Sequence, residues 1–212
     1  MPGLRYRWLT RFYDPIVQLT THEGRFKQAL LKQACIQEGY RILDLGCGTG
    51  TLALMVKRAY PSAEVFGLDA DLEALELAKT KIAKAEIAVR LDQGLASALP
   101  YTNNSFDRVL SSLFFHHLSS ELKEEAMREV LRVLRPGGEF HIADWGKPTS
   151  AAMRLAFFGV QILDGFATTA DNVRGLLPDL LWRAGFAKVE ITDCFSTIFG
   201  TLSLYCARKP SA

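Results

Sequence analysis

The stretch Ile42-Leu43-Asp44-Leu45-Gly46-Cys47-Gly48-Thr49-Gly50 constrains this chain more than any other. A short apolar run with the look of a strand passes directly into three glycines at alternate positions, and a helical pattern opens near Thr51. Glycine enters left-handed backbone conformations at no steric cost, so such a junction turns sharply and lets the main chain approach a ligand. Asp69 closes the next β-rich run, 19 positions after Gly50 (69 − 50). A carboxylate so placed accepts hydrogen bonds from both ribose hydroxyls of a nucleoside. Loop and acid together predict a nucleoside cofactor.

Around this junction, from Tyr40 to Trp145, short apolar runs alternate with helical patterns, the signature of βαβ units and a parallel sheet covered on both faces. Strands are expected at Arg41 to Leu45, Glu64 to Asp69, Ile87 to Leu91, Ser105 to Ser111 and Glu139 to Asp144. Leu122, Ala126, Val130 and Val133 recur at spacings of four, four and three, a core-facing helix stripe that Pro136-Gly137-Gly138 should stop. An aromatic leader of Tyr6, Trp8, Phe12 and Tyr13 precedes this unit, followed by Thr20 and Glu23 at capping-box spacing and a helix carrying Phe26, Leu30 and Ala34. Helical patterns at Ala151 to Phe166 and Asn172 to Arg183 follow it, then two β-rich runs, Lys188 to Phe195 and Leu202 to Ala207, spaced for an antiparallel edge hairpin. No repeat or linker interrupts the 212 residues, so one domain is expected: 1–39 a helical lid, 40–145 the cofactor-binding core, and 146–212 acceptor-side helices with the hairpin.

Charge narrows the partners. Lys+Arg 25 against Asp+Glu 23 leaves a net +2 with no run of like charges, so the electrostatic footprint of a nucleic-acid binder is missing. The longest greasy stretch, Leu155 to Leu163, falls far short of the roughly 20 residues that span a bilayer, and the Arg-bearing start lacks the core of a signal peptide. The four scattered cysteines form no C-x-x-C pair, and a cytoplasmic location with reduced thiols is expected. A small-molecule partner becomes the default.

Gly48-Thr49-Gly50-Thr51-Leu52-Ala53 also fits the dinucleotide pattern G-x-G-x-x-A, which keeps a nicotinamide oxidoreductase open as an alternative. Asp44 argues against it, because a carboxylate beside the loop repels a pyrophosphate and suits the ammonium group of an amino-acid moiety.

At this point the sequence resembles the class I S-adenosylmethionine (SAM)-dependent methyltransferases. ILDLGCGTG is similar to the first motif of that family, VFGLDAD to its second, ALPYTNNSFDRVLSSLFFHHL to its third and fourth, and REVLRVLRPGGEFHIADW to its fifth. The nearest flavour is that of the ubiquinone and menaquinone C-methyltransferases. The resemblance implies a Rossmann-like, doubly wound α/β fold with seven strands in the order 3-2-1-4-5-7-6, the last antiparallel. It implies that Gly46, Cys47 and Gly48 pack against SAM, that Asp69 holds the ribose and that Ala70 lies beside the adenine. Gly94, Leu95, Ser112 and Asp44 join the expected cofactor set, with Tyr13 near the methionine end. One departure stands out. Relatives place an acid after the glycine corresponding to Gly94, and here Leu95 can pack on the ring but cannot accept a hydrogen bond. Asp92, Gln93 or a backbone carbonyl would have to replace that acceptor.

Methyl transfer from a sulfonium, which leaves S-adenosylhomocysteine, is an in-line displacement that depends chiefly on positioning. A base is added where the nucleophile carries a proton. His116 and His117 follow the fourth strand and are the general-base candidates, with cofactor orientation or capping of the helix near Ser119 as the other roles open to them. The turn D/N-P-P-Y/F of amine methylators is replaced by Ser-Ser-Leu-Phe-Phe-His-His, and no carboxylate cluster for a metal can be assembled at the strand ends. The expectation is metal-free methylation of a small apolar or aromatic acceptor, roofed by Trp8, Phe12 and Tyr13 and walled by Trp145, Phe157, Phe158 and Phe166. A catalytically silent SAM-binding partner protein is the alternative suggested by Leu95. A homodimer is also compatible, since an aromatic lid would serve equally as a subunit contact.

Overall fold

The computed structural model describes residues 23–211. The chain runs α1 (Glu23–Gln33), β1 (Arg41–Leu45), α2 (Thr51–Ala59), β2 (Glu64–Asp69), α3 (Leu72–Lys84), β3 (Arg90–Gln93) and β4 (Phe106–Ser112). After a 3₁₀ turn at Phe115–His117 come α4 (Ser120–Val133), β5 (Leu134–Trp145), α5 (Ala151–Asp164), α6 (Phe166–Arg174), α7 (Leu177–Ala184), β6 (Ala187–Thr197) and β7 (Gly200–Arg208). The seven strands form one sheet in the order β3-β2-β1-β4-β5-β7-β6. β1 to β5 pair in parallel, and β7 runs antiparallel to both β5 and β6. This is the strand order that the family resemblance implies, with the antiparallel edge hairpin expected from the sequence.

Side chains alternate across each strand, so β1 sends Leu43 and Leu45 into one core and Ile42 into the other. The first core holds Met127 and Val130 of α4 and Leu180 and Leu181 of α7 against Phe106, Phe115 and Phe140. The second packs Phe26 and Leu30 of α1 and Leu52 and Val56 of α2 against Ile42, Val65, Leu110 and Leu204. With both faces covered, the carboxyl ends of β1, β2, β4 and β5 are the natural place for a ligand.

Local chemistry explains where the elements depart from the pattern reading. β3 is expected at Ile87 to Leu91 and forms at Arg90–Gln93, because its register is set by Phe66 to Asp69 of β2. Pro136-Gly137-Gly138 does not separate α4 from the strand. α4 ends at Val133, Leu134 already pairs with Phe106, and the glycines form an irregularity inside β5 at which Gly137 and Gly138 bond Lys209. The expected helix at Asn172 to Arg183 is two helices, since Gly175 at φ +74° ends α6 and α7 starts anew at Leu177. The leader aromatics Tyr6, Trp8, Phe12 and Tyr13, and the capping residue Thr20, lie outside the described residues.

Candidate active site

The loop after β1 is built by its glycines. Gly46, Gly48 and Gly50 adopt φ of +70°, +51° and +74°, a region costly for residues bearing a Cβ. A Cβ on Gly46 would also lie 2.3 Å from the Phe114 ring, so the loop and the turn after β4 are in direct contact. The N–H groups of Gly46 and Cys47 both donate to the Leu68 carbonyl at 2.9 and 3.0 Å, tying the loop to β2. Lys81 reaches over from α3 and donates to Thr49 and Thr51 at 2.9 and 2.8 Å, a brace that its sequence position did not announce.

Two carboxylates flank this loop, as expected, but each is engaged by the backbone. Asp69 accepts from Gly48 N–H at 2.7 Å with one oxygen and from Asp71 N–H at 2.9 Å with the other. Burial raises its pKa, against those same N–H donors. Asp44 is 1% exposed and accepts from Ala53 N–H in the first turn of α2 at 2.9 Å. Burial pushes its carboxyl up to about 7, outweighing the Lys27 cation and the Ala53 N–H.

Around the expected adenine end, Ala70 is exposed, and Gln93 donates to its carbonyl at 3.4 Å. Asp92 is used elsewhere, accepting from Tyr101 at 3.0 Å and pairing with Arg90 at 3.0 Å. Leu95 bridges to Ala98 just after Gly94 and leaves much of its side chain in solvent, free to lie on a ring. Ser112, the last residue of β4, has a buried hydroxyl without a hydrogen-bond partner among the described residues.

Beyond Ser112 the chain turns through Leu113, at the left-handed φ of +53°, and delivers both histidines inward. His116 is 1% exposed, and its Nδ1 lies 2.7 Å from Asp144 Oδ1. Burial disfavours charge on this ring, but Asp144 wins and raises its pKa; the same pairing overcomes burial at Asp144 and lowers the pKa of that acid. Asp144 is held in turn by the N–H of Trp145 at 2.7 Å, and Asn172 of α6 donates to the Trp145 carbonyl at 2.8 Å. On the other side, His116 Nε2 is 3.6 Å and His117 Nδ1 3.8 Å from the carboxylate of Asp164 at the end of α5. Buried Lys123 anchors α4 beneath this cluster through Asp171 at 3.1 Å.

The structure therefore brings Asp44, Gly46, Cys47, Gly48, Asp69, Ala70, Gly94, Leu95 and Ser112 along the strand ends, with His116 and His117 beside them. Tyr13 lies outside the described residues. Pattern reading missed Asp144, Asp164 and Asn172. Asp144 had the same signal as Asp44 and Asp69, an acid at the end of an apolar strand, whereas Asp164 at the foot of an apolar helix had none. The expected aromatic wall is corrected: Phe157 is 2% exposed and packs on Trp145 in the core at 5.4 Å. Trp145 meets His116 in a T-shaped contact at 6.4 Å, while Phe158 and Phe166 pack together on the surface.

These features define a protein of Rossmann-like topology built to hold a nucleoside cofactor, in which a glycine loop, a strand-end acid and a polar turn after β4 share one edge. Residues 42–138 match the family profile described as "Methyltransferase domain". A demethylmenaquinone methyltransferase of Lactobacillus johnsonii is 32% identical over 197 residues, covering 84% of this chain and 80% of that protein. Methyltransferase GfsG of Streptomyces halstedii is 31% identical over 175 residues, 80% of this chain but 60% of that longer protein. Among solved structures, phosphoethanolamine N-methyltransferase 2 of Haemonchus contortus, in complex with SAM, superposes with a TM-score of 0.69 at 19% identity, over 88% of this chain and 52% of that one. The chain belongs to the class I SAM-dependent methyltransferases, and SAM is its cofactor. No helix among the described residues is long and apolar enough to cross a membrane.

Proposed function

We propose that this chain methylates a small acceptor with an aromatic or apolar body and an ionisable oxygen or carbon position, of the quinol and phenol class. The observation that carries this reading is the His116–Asp144 pair, buried beside the turn that touches the glycine loop. Asp144 keeps a proton on Nδ1, so Nε2 faces the acceptor side as the nitrogen that exchanges one. His117 stacks on it with ring centroids 3.9 Å apart. The name of the Lactobacillus johnsonii relative adds support for a quinol-like ring.

In this mechanism Asp69 holds the ribose, Gly46 to Gly48 give the cofactor a close backbone floor, and Asp44 receives the ammonium of the methionine moiety. Fixing sulfonium and acceptor in line can supply up to ~7–11 kcal/mol of the barrier. A positioned base adds about 10²–10⁴-fold in rate. In this reading Ser112, whose hydroxyl lacks a partner among the described residues, would bond the cofactor.

The test is a panel of hydroquinones, catechols and phenols incubated with SAM, read as methylated product by mass spectrometry. The expected result is turnover on at least one, reduced by ~10² or more when His116 and His117 are both changed to Ala, with SAM affinity held within a few-fold. Full turnover in that variant removes the histidines from the chemistry. Tight SAM binding with no product across the panel favours a silent SAM-binding protein instead.

A further inference from the structure

We propose that His116, His117 and Asp164 form a binding site for a divalent transition-metal ion on the acceptor side of the cofactor cleft. The role of such an ion rests on the methyl-transfer reading above, but its binding does not. One nitrogen of each ring and a carboxylate oxygen of Asp164 all lie within 4.8 Å of one another.

The spacing is what separates this cluster from an ordinary ion pair. A charged imidazole that donates to a carboxylate closes to about 2.7–2.9 Å, and His116 does so with Asp144 at 2.7 Å. Toward Asp164 the same ring stops at 3.6 Å, and His117 stops at 3.8 Å. Two ligands that each stand about 2.0–2.2 Å from a shared ion are separated by roughly 3–4 Å. No donor among the described residues comes within hydrogen-bond distance of the Asp164 carboxylate.

The surroundings are also those of a metal ligand. A ligating histidine ordinarily gives its other ring N–H to a carboxylate, which fixes the tautomer and raises the basicity of the ligating nitrogen. Asp144 does this for His116 and is itself fixed by the Trp145 N–H. Two imidazoles with one carboxylate favour zinc, iron, cobalt or nickel over magnesium and calcium, and three protein ligands leave at least one position open. His117 and Asp164 are partly exposed, which gives that position access to solvent.

The open position fits an oxygen of the acceptor, most simply a phenolic or enolic hydroxyl. Bound there, the hydroxyl loses its proton to solvent at a lower pH than it would free in water, so with the ion present this acidification takes the place of proton uptake by His116 Nε2. This departs from the metal-free chemistry expected from the sequence, where Asp164 lies 47 positions (164 − 117) beyond His117 and gave no spacing signal. The other cluster of ligand type, Glu139 with His141 and Cys206, is a weaker candidate, because Glu139 already pairs with Arg108 at 3.3 Å and with Arg208.

The test uses the full chain, stripped with a chelator and titrated with Co²⁺, read by visible absorption, and with Zn²⁺, read by elemental analysis after dialysis. The expected result is about one ion per chain, with visible bands of a nitrogen- and oxygen-ligated Co²⁺. Affinity should fall by about 10²-fold or more in His117→Ala and in Asp164→Asn, and by about 10–100-fold in Asp144→Asn. His117 is partly exposed, so His117→Ala should keep the wild-type melting temperature and SAM affinity. Substoichiometric uptake by the wild-type chain, or equal affinity in these variants, overturns the proposal. SAM calorimetry on the same metal-free protein separates the two readings, since loss of SAM binding refutes the cofactor assignment without touching the metal result.

Discussion

The buried carboxylate of Asp44 should destabilise the ligand-free fold above neutral pH, and Asp44→Asn tests this directly. Its pKa rises from the ordinary 3.8 to about 7, mainly because burial disfavours the charge. An acid whose folded pKa is raised binds more protons in the folded chain than in the unfolded one between those two values. Stability therefore falls as pH climbs from about 4 to about 7 and is flat above. At 1.36 kcal/mol per pH unit the gap amounts to about 4 kcal/mol. Asparagine keeps an oxygen for the Ala53 N–H but brings an amide N–H₂ that needs its own acceptor, so a gain of about 2–4 kcal/mol is expected at pH ~8. For a chain of this length that is roughly 4–16 °C in Tm, shrinking to nothing near pH ~4. The same variant should bind SAM more weakly, because the ammonium group loses its counter-charge. Melting curves of both proteins across pH, with and without SAM, supply the assay. A variant that is less stable than wild type at pH ~8, or equally affected at both pH extremes, refutes the reasoning about Asp44.

Two further outcomes follow from packing. Gly46→Ala combines a left-handed φ with a Cβ set 2.3 Å from Phe114, so it should cost about 1–3 kcal/mol in urea unfolding and displace the turn that carries His116 and His117. Phe115→Ala empties a fully buried position between Met127, Phe140 and the strand ends, and should cost about 3–5 kcal/mol in the same experiment.

The first strands and the glycine loop were legible in the sequence because both are written locally, whereas the strand order came from the family resemblance and from no local pattern. A buried parallel strand is a short apolar run, and a turn that needs left-handed backbone is a glycine, so Arg41 to Gly50 and Glu64 to Asp69 could be placed by inspection. Register was not legible. β3 formed three residues later than its apolar run suggested, because pairing to β2 and not local propensity decides where a short edge-side strand begins. The Pro136-Gly137-Gly138 stretch misled for a related reason, since tertiary pairing to Lys209 held it in the strand. Within the site, residues acting through neighbouring chain segments could be found, whereas Asp144, Asp164 and Lys81 act across the fold and were not paired in advance with their targets. The aromatic wall failed because large apolar residues serve core and pocket alike, and only burial tells Phe157 from Phe158.

The central claim is that SAM binds at this loop with its ribose on Asp69, and calorimetric titration of SAM and S-adenosylhomocysteine into the wild-type chain and Asp69→Ala tests it most directly. The account predicts saturable binding of about one molecule per chain by the wild type. Loss of a charge-assisted pair of hydrogen bonds, ~1.5–3 kcal/mol, should weaken it about 10–150-fold in the variant. Absence of binding by the wild-type chain, or unchanged affinity in Asp69→Ala, would contradict it.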